Sequence, residues 1–178
     1  MKPYIVKQLL LEGWEEKIVG LWLAENDNWL LLRRVYDYRP DGYLLVAKKF
    51  IARYIAKGNT QTARVLRLKG ISSEVPEGFV FADAPDLLRH IEQHYTLFQI
   101  SDEEDTTFCG QLRDYDQTHF RINSLSPRAE FDLDYDVWFG FEKLMTIEFS
   151  NDYLDSLLLL WRDKAKRKWK INRPSQSN

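Results

Sequence analysis

His90 and His94 stand four positions apart, the spacing that sets two imidazoles on one helical face and offers both to a metal. No third or fourth ligand accompanies them, and Ile91 follows His90 where a zinc-protease helix carries glutamate. The pair reads as two exposed histidines. Asp132, Asp134 and Asp136 alternate along a strand-like stretch, and Asp102-Glu103-Glu104-Asp105 makes an acidic loop. Hard cations take such oxygens, but a calcium loop folds its ligands around one ion with a glycine at the turn, and neither segment has that form. A solvated acidic face able to dock a basic partner fits better. Cys109, the single cysteine, lies between Phe108 and Gly110 with no base beside it, so it reads as a buried structural thiol. There is no Gly-x-Ser-x-Gly elbow, Walker loop or dinucleotide fingerprint. The expectation is a non-enzyme with no metal, no cofactor and no small-molecule substrate.

Two groups of basic residues suit a phosphate backbone. Lys164, Lys166, Arg167, Lys168 and Lys170 cluster around Trp169 and close behind Trp161, and indoles can stack on bases. The alternative is that the indoles continue the apolar face of a terminal helix and leave the lysines solvated. Arg33, Arg34, Lys48 and Lys49 form the second group, near Trp29, Tyr36 and Tyr38. Alternation puts Arg33 and Arg34 on opposite faces of a strand, so these charges do not all converge.

These groups sit in a chain of 178 residues, long enough for one large domain or two small ones. With 44% hydrophobic residues and 29% charged, it has the material for a packed core and is unlike disordered chains. No stretch approaches the ~18 apolar residues of a membrane helix, and Met1-Lys2-Pro3-Tyr4 does not open a secretory signal, which leads to the expectation of a soluble, cytoplasmic protein away from membranes. The net charge of −2 hides an asymmetry. Residues 1–70 hold 13 Lys/Arg against 7 Asp/Glu, residues 71–160 hold 5 against 19, and residues 161–178 hold 7 against 1. Basic parts can therefore meet the acidic part within or between chains.

Self-comparison gives the organisation. Ile18-Val19-Gly20-Leu21-Trp22, a polar turn at Asn26-Asp27-Asn28, and Leu30, Leu32 and Val35 recur 90 positions later as Phe108-Cys109-Gly110-Gln111-Leu112, Asp116-Gln117-Thr118, and Phe120, Ile122 and Leu125. Period-two alternation marks half-buried strands. Phe131 to Val137 alternates without a break, predicting a strand with Phe131, Leu133, Tyr135 and Val137 inward and the three aspartates outward. At an offset of 93, Val46 matches Phe139, Ile51 matches Leu144 and Tyr54 matches Ile147, which gives each half about five short strands. Asp83-Ala84-Pro85-Asp86 opens a helix with Leu87, Leu88, Ile91 and Tyr95 on one face. A short helix is predicted over Thr60–Leu68, and a terminal one from Ser150-Asn151-Asp152 with Leu154, Leu157, Leu158 and Trp161 on its apolar side.

Gly110-Gln111-Leu112-Arg113-Asp114-Tyr115-Asp116, with its glycine, the leucine two on, the aromatic and the final aspartate, resembles the first motif of the Sm/LSm/Hfq family of small SH3-like barrels. The resemblance implies two tandem five-stranded antiparallel barrels, an intervening helix and a C-terminal helix, mainly β with helices (α+β). It also implies binding of single-stranded RNA by a ring of barrels. The residues that contact RNA in that family are not kept: Phe120 stands at the asparagine position, Thr118 at the stacking position, and Phe139-Gly140 where Arg-Gly is usual. Residues 1–70 are expected to form a basic first unit, 71–82 a connector, 83–170 an acidic second unit with a basic helix, and 171–178 a frayed tail. One continuous sheet built from the same strands is the alternative, preferred if the Val75–Gly78 connector is buried. The expected function is a non-catalytic module for protein association, including self-association, with Asp132, Asp134 and Asp136 as a docking face. The alternative is RNA or single-stranded DNA binding through Arg33, Arg34, Lys48, Lys49, Lys164, Lys166, Arg167, Lys168 and Lys170.

Overall fold

The computed structural model describes residues 4–55 and 60–171, with side chains as far as Arg167; the expected frayed tail lies almost wholly outside them. Strands β1 (Val6–Leu11), β2 (Ile18–Glu25), β3 (Trp29–Tyr36), β4 (Arg39–Ala47) and β5 (Ile51–Tyr54) come first. Helices α1 (Thr60–Leu68) and α2 (Ala84–Tyr95) follow, as the sequence predicts. The second set is β6 (Phe98–Glu103), β7 (Thr106–Tyr115), β8 (His119–Ser124), β9 (Phe139–Gly140) and β10 (Thr146–Phe149), closed by α3 (Asp152–Ile171).

The repeat holds to the level of single hydrogen bonds. In the β2–β3 turn, Asn26 Oδ1 accepts the N–H groups of Asn28 and Trp29 at 3.0 and 2.7 Å. Ninety residues on, Asp116 Oδ1 accepts those of Thr118 and His119 at 2.7 and 2.8 Å. Both hairpins carry a bulge at the matching place, between Trp22 and Ala24 and between Leu112 and Asp114. Both fourth strands pass to the fifth through one turn of 3-10 helix, Lys48–Phe50 and Phe141–Lys143. Gly20 and Gly110 occupy the bends where the neighbouring strand comes closest: a Cβ on Gly20 would stand 2.8 Å from that of Leu32, and one on Gly110 would stand 2.1 Å from the Asn123 carbonyl oxygen.

The ten strands form a single open antiparallel sheet in the order β5-β1-β2-β3-β4-β10-β6-β7-β8-β9. Each half has the same internal order, with its fifth strand beside its first, and the halves join where β10 pairs with β4. Val46 faces Thr146, Leu45 faces Ile147, Leu44 faces Glu148 and Tyr43 faces Phe149. The separate closed barrels expected from the sequence are therefore replaced by a continuous sheet, because the first half's fourth strand is satisfied by the second half's fifth. The continuous sheet forms although the Val75–Gly78 connector is not buried: Val75 and Pro76 are half-buried, and Glu77 and Gly78 are exposed.

One core runs through both halves under the helices. Leu23, Leu31 and Leu45 of the first half meet Phe98, Ile147 and Phe149 of the second, beneath Leu66 of α1 and Leu87, Leu88 and Ile91 of α2. On the other face of the first half Leu9, Ile18, Leu30, Leu32, Leu44 and Val46 make their own cluster with Met145. Strands buried on both faces need continuous apolar runs, which accounts for Leu30-Leu31-Leu32 and Leu44-Leu45-Val46. The second half is covered on that side by α3, whose Leu154 and Leu157 pack on Leu97, Cys109 and Leu125. Asp83 caps α2 by accepting the Asp86 N–H at 3.1 Å, and Asn151 caps α3 by accepting that of Leu154 at 2.8 Å.

One predicted strand is absent. Residues 131–138 carry only an isolated bridge from Phe131 to Leu125, then a turn in which Asp132 Oδ1 accepts the Asp134 N–H. Leu133, expected inward, is 90% exposed, and Val137 and Trp138 are exposed as well. The matching segment of the first half, β4, is a full strand with ladders on both sides. In the second half no described residue pairs with the outer side in a ladder, so alternation alone does not hold the chain straight.

Gly110→Ala is expected to lower stability by about 3 kcal/mol, the upper end of ordinary overpacking, because the obstacle is backbone. Gly140→Ala, whose Cβ would meet nothing closer than 3.4 Å at a φ of −80°, is expected to stay within about 0.5 kcal/mol, both variants being compared with the unsubstituted chain by urea titration.

Candidate functional site

The candidate surfaces lie at the joint between the halves and at the two ends of the sheet. The joint is stitched by polar groups as well as by the ladder. Arg34 Nη1 lies 3.5 Å from Glu148 Oε1. The Glu104 carboxylate accepts the backbone N–H groups of Glu15 and Glu16 at 2.7 to 2.8 Å, and Asp41 Oδ1 accepts that of Asp152 at 2.8 Å. Two acids of the second half, Glu104 and Glu148, thus hold the first, and Asp41 of the first half holds the second in return; the charge asymmetry and the acidic loop 102–105 signalled the first of these uses without naming the partners.

Beside the joint a cleft of about 500 Å³ opens between the β2–β3 turn, the 3-10 turn after β4, the start of α2 and the 3-10 turn after β9. Trp29, Asn28, Lys48, Lys49, Asp83 and Phe141 line it. Lys48 Nζ donates to the Asn26 carbonyl at 2.8 Å, and Lys49 Nζ donates to that of Glu142 at 2.6 Å. An ammonium has three donors, so each lysine keeps capacity for a ligand. Asp27 and Asp83 share the cleft and give it mixed charge.

The other basic candidates lie elsewhere. Arg33 is directed at the Tyr43 ring, with its guanidinium carbon 5.2 Å from the ring centre, while Arg34 turns to the opposite face against Glu148 and Tyr36. Lys164 on α3 is bound to Glu130 at 2.6 Å and to the Arg128 carbonyl, and Arg167 pairs with Asp163. Lys166 is exposed, and the side chains of Lys168 and Lys170 lie outside those described. Trp161 packs edge-on against Phe131, centres 5.6 Å apart, as the apolar-face reading of the terminal helix required. The seven candidates with described side chains thus fall in separate places instead of one basic surface.

Among the aspartates, Asp132 and Asp134 are exposed in the turn, whereas Asp136 is drawn to Arg121 at 2.5 Å and Arg113 at 3.5 Å. Arg121 also binds Asp114 at 2.6 Å and lies over the Trp138 ring at 4.4 Å. Hydrogen bonding from Arg121 holds the Asp114 carboxyl below the usual carboxylate range. Sequence reasoning missed the exposed aromatic groups at the sheet ends: Trp138, 45% exposed, next to β9, and Tyr54, 48% exposed, on β5. Among the described residues no group of three or more His, Cys, Asp or Glu side chains is placed to hold a metal ion. No described helix is long and apolar enough to cross a membrane. Compared with known proteins, the chain matches no family model, no curated sequence and no solved structure.

Two groups in this region carry measurable consequences. Burial pushes the Cys109 thiol up to about 12, so alkylation at neutral pH is expected to be negligible in the native protein and to follow the unfolding curve in urea. His90 lies 4.2 Å from His94 and edge-on to Phe79, and burial, followed by the His94 charge, pushes its imidazole below the ordinary value. The folded state therefore favours neutral His90; its contribution is complete above the unfolded pKa of about 6.5 and is lost as pH falls through the interval beneath it. The urea midpoint is expected to drop as pH falls through that interval, and His90→Gln to flatten the drop.

Proposed function

We propose that this protein is a non-catalytic association module built from two Sm-like units, which joins protein surfaces through the ends of its sheet. The observation that carries the reading is the β4–β10 joint, where a sheet edge of one unit is completed by a strand of the other, while among the described residues β5 and β9 leave the corresponding edges free. Unpaired edges with exposed apolar groups are templates for a further chain. Complementary charge supports the same reading: residues 1–70 have an excess of 6 positive charges and residues 71–160 an excess of 14 negative ones.

A second reading, binding of single-stranded RNA, is favoured by the cleft that sets Lys48 and Lys49 beside Trp29 and Asn28. Against it stand the cleft's aspartates and the scatter of the other basic side chains. The two readings part in a fluorescence-anisotropy titration of a labelled mixed-sequence RNA with the full chain at low and physiological salt. No binding at low salt is expected. Tight binding that falls steeply with salt and disappears in Lys48→Glu/Lys49→Glu would overturn the association reading in favour of RNA.

A further inference from the structure

We propose that the protein's partner is a second copy of itself, added head to tail, and that residues 131–138 straighten into the missing edge strand when that copy docks. This rests on the association reading and names the partner. The covalent joint supplies the template. In each half the fourth strand is laid down in the same register on the third: Ala47 faces Trp29 and Val46 faces Leu30, as Gly140 faces His119 and Phe139 faces Phe120. The first half's fourth strand is covered by β10; the second half's counterpart has no cover, and only its last two residues are strand. At the far end no described strand pairs with the outer side of β5, the counterpart of β10.

Carrying the joint's register across by the repeat offset of 93 specifies the contact. Val46 with Thr146, Leu45 with Ile147 and Leu44 with Glu148 become Phe139 with Arg53, Trp138 with Tyr54 and Val137 with Ile55 of the second copy. Trp138, Val137 and Tyr54 are 45%, 44% and 48% exposed, and they are large side chains that the isolated chain leaves in water. Aromatic residues directly opposed across antiparallel strands are a stabilising pair. Asp132 and Asp134 then come toward the basic half of the neighbour, and the alternation of Phe131–Val137 acquires a use it lacks in the single chain. The contact joins two different surfaces, so successive copies either close into a ring or continue as an open chain.

Sedimentation velocity of the full chain from about 1 to 100 µM tests this. Growth in steps of whole chains is expected, with Trp138→Asp and Tyr54→Asp each monomeric. Their equimolar mixture is expected to form a heterodimer and nothing larger, because each variant retains one intact edge. A wild type that stays monomeric, variants that associate as wild type does, or a mixture that stays monomeric would each overturn the proposal. Circular dichroism melts check folding, and Val137→Lys with Ile55→Lys repeat the mixing experiment if either first variant is unfolded. A monomeric wild type that also binds no RNA rejects the second copy as partner without rejecting association, whereas salt-sensitive RNA binding rejects the association reading itself.

Discussion

Buried strands must pair on both sides, and in this protein that requirement converges on four residues. Thr146, Ile147, Glu148 and Phe149 donate to and accept from β4 on one side and β6 on the other. β10 pairs with β4 of the first half and β6 of the second, and its Ile147 and Phe149 lie in the core that both halves share. Remove that ladder and Leu44, Leu45 and Val46, all fully buried, would lie on an edge, while the second half's first strand would keep only β7 as a neighbour. The joint is thus part of the fold, and the two units are unlike beads on a linker.

That arrangement explains which parts of the sequence were legible. Local features were: the capped helix at Asp83, the paired turns at Asn26 and Asp116, and the two bend glycines each follow from hydrogen bonds or sterics within a few residues or across one hairpin. The offset of 93 even located the fifth strands, because the 3-10 turns before them keep their length. The partner of an edge strand is a different kind of information. Nothing in Tyr43–Val46 distinguishes closure against its own half from pairing with a strand a hundred residues away, since either would bury the same apolar run.

The misread segment and the scattered cations have related causes. Phe131 to Val137 has flawless alternation, but a strand needs a ladder as well as a pattern, and the pull of Arg121 and Arg113 on Asp136 competes with extension when only one side is available. Likewise the sequence of Arg33 and Arg34 shows two adjacent charges but not the neighbours that engage them. Tyr43 and Glu148 take them up inside the fold, and both neighbours belong to the strands of the joint. Charges close in sequence became structural because the joint passes between them. The lysines of the 3-10 turn, at the end of the ladder, stayed at the surface of a cleft.

Charge also separates the ways in which the free edges can pair. An edge bearing Asp132, Asp134 and Asp136 meets like charge if it approaches its own equivalent in another copy, and such a contact would bring three carboxylates toward three more. The β5 edge carries Arg53 and belongs to the basic half. Repulsion between equal edges and attraction between unequal ones oppose a symmetric pair and favour a directional one. Inside the chain the same preference is already satisfied, since Glu104 and Glu148 of the acidic half are the groups that reach across to the basic half. In the proposed head-to-tail contact, long-range charge would select which edges meet, and the short apolar ladder would then fix the register.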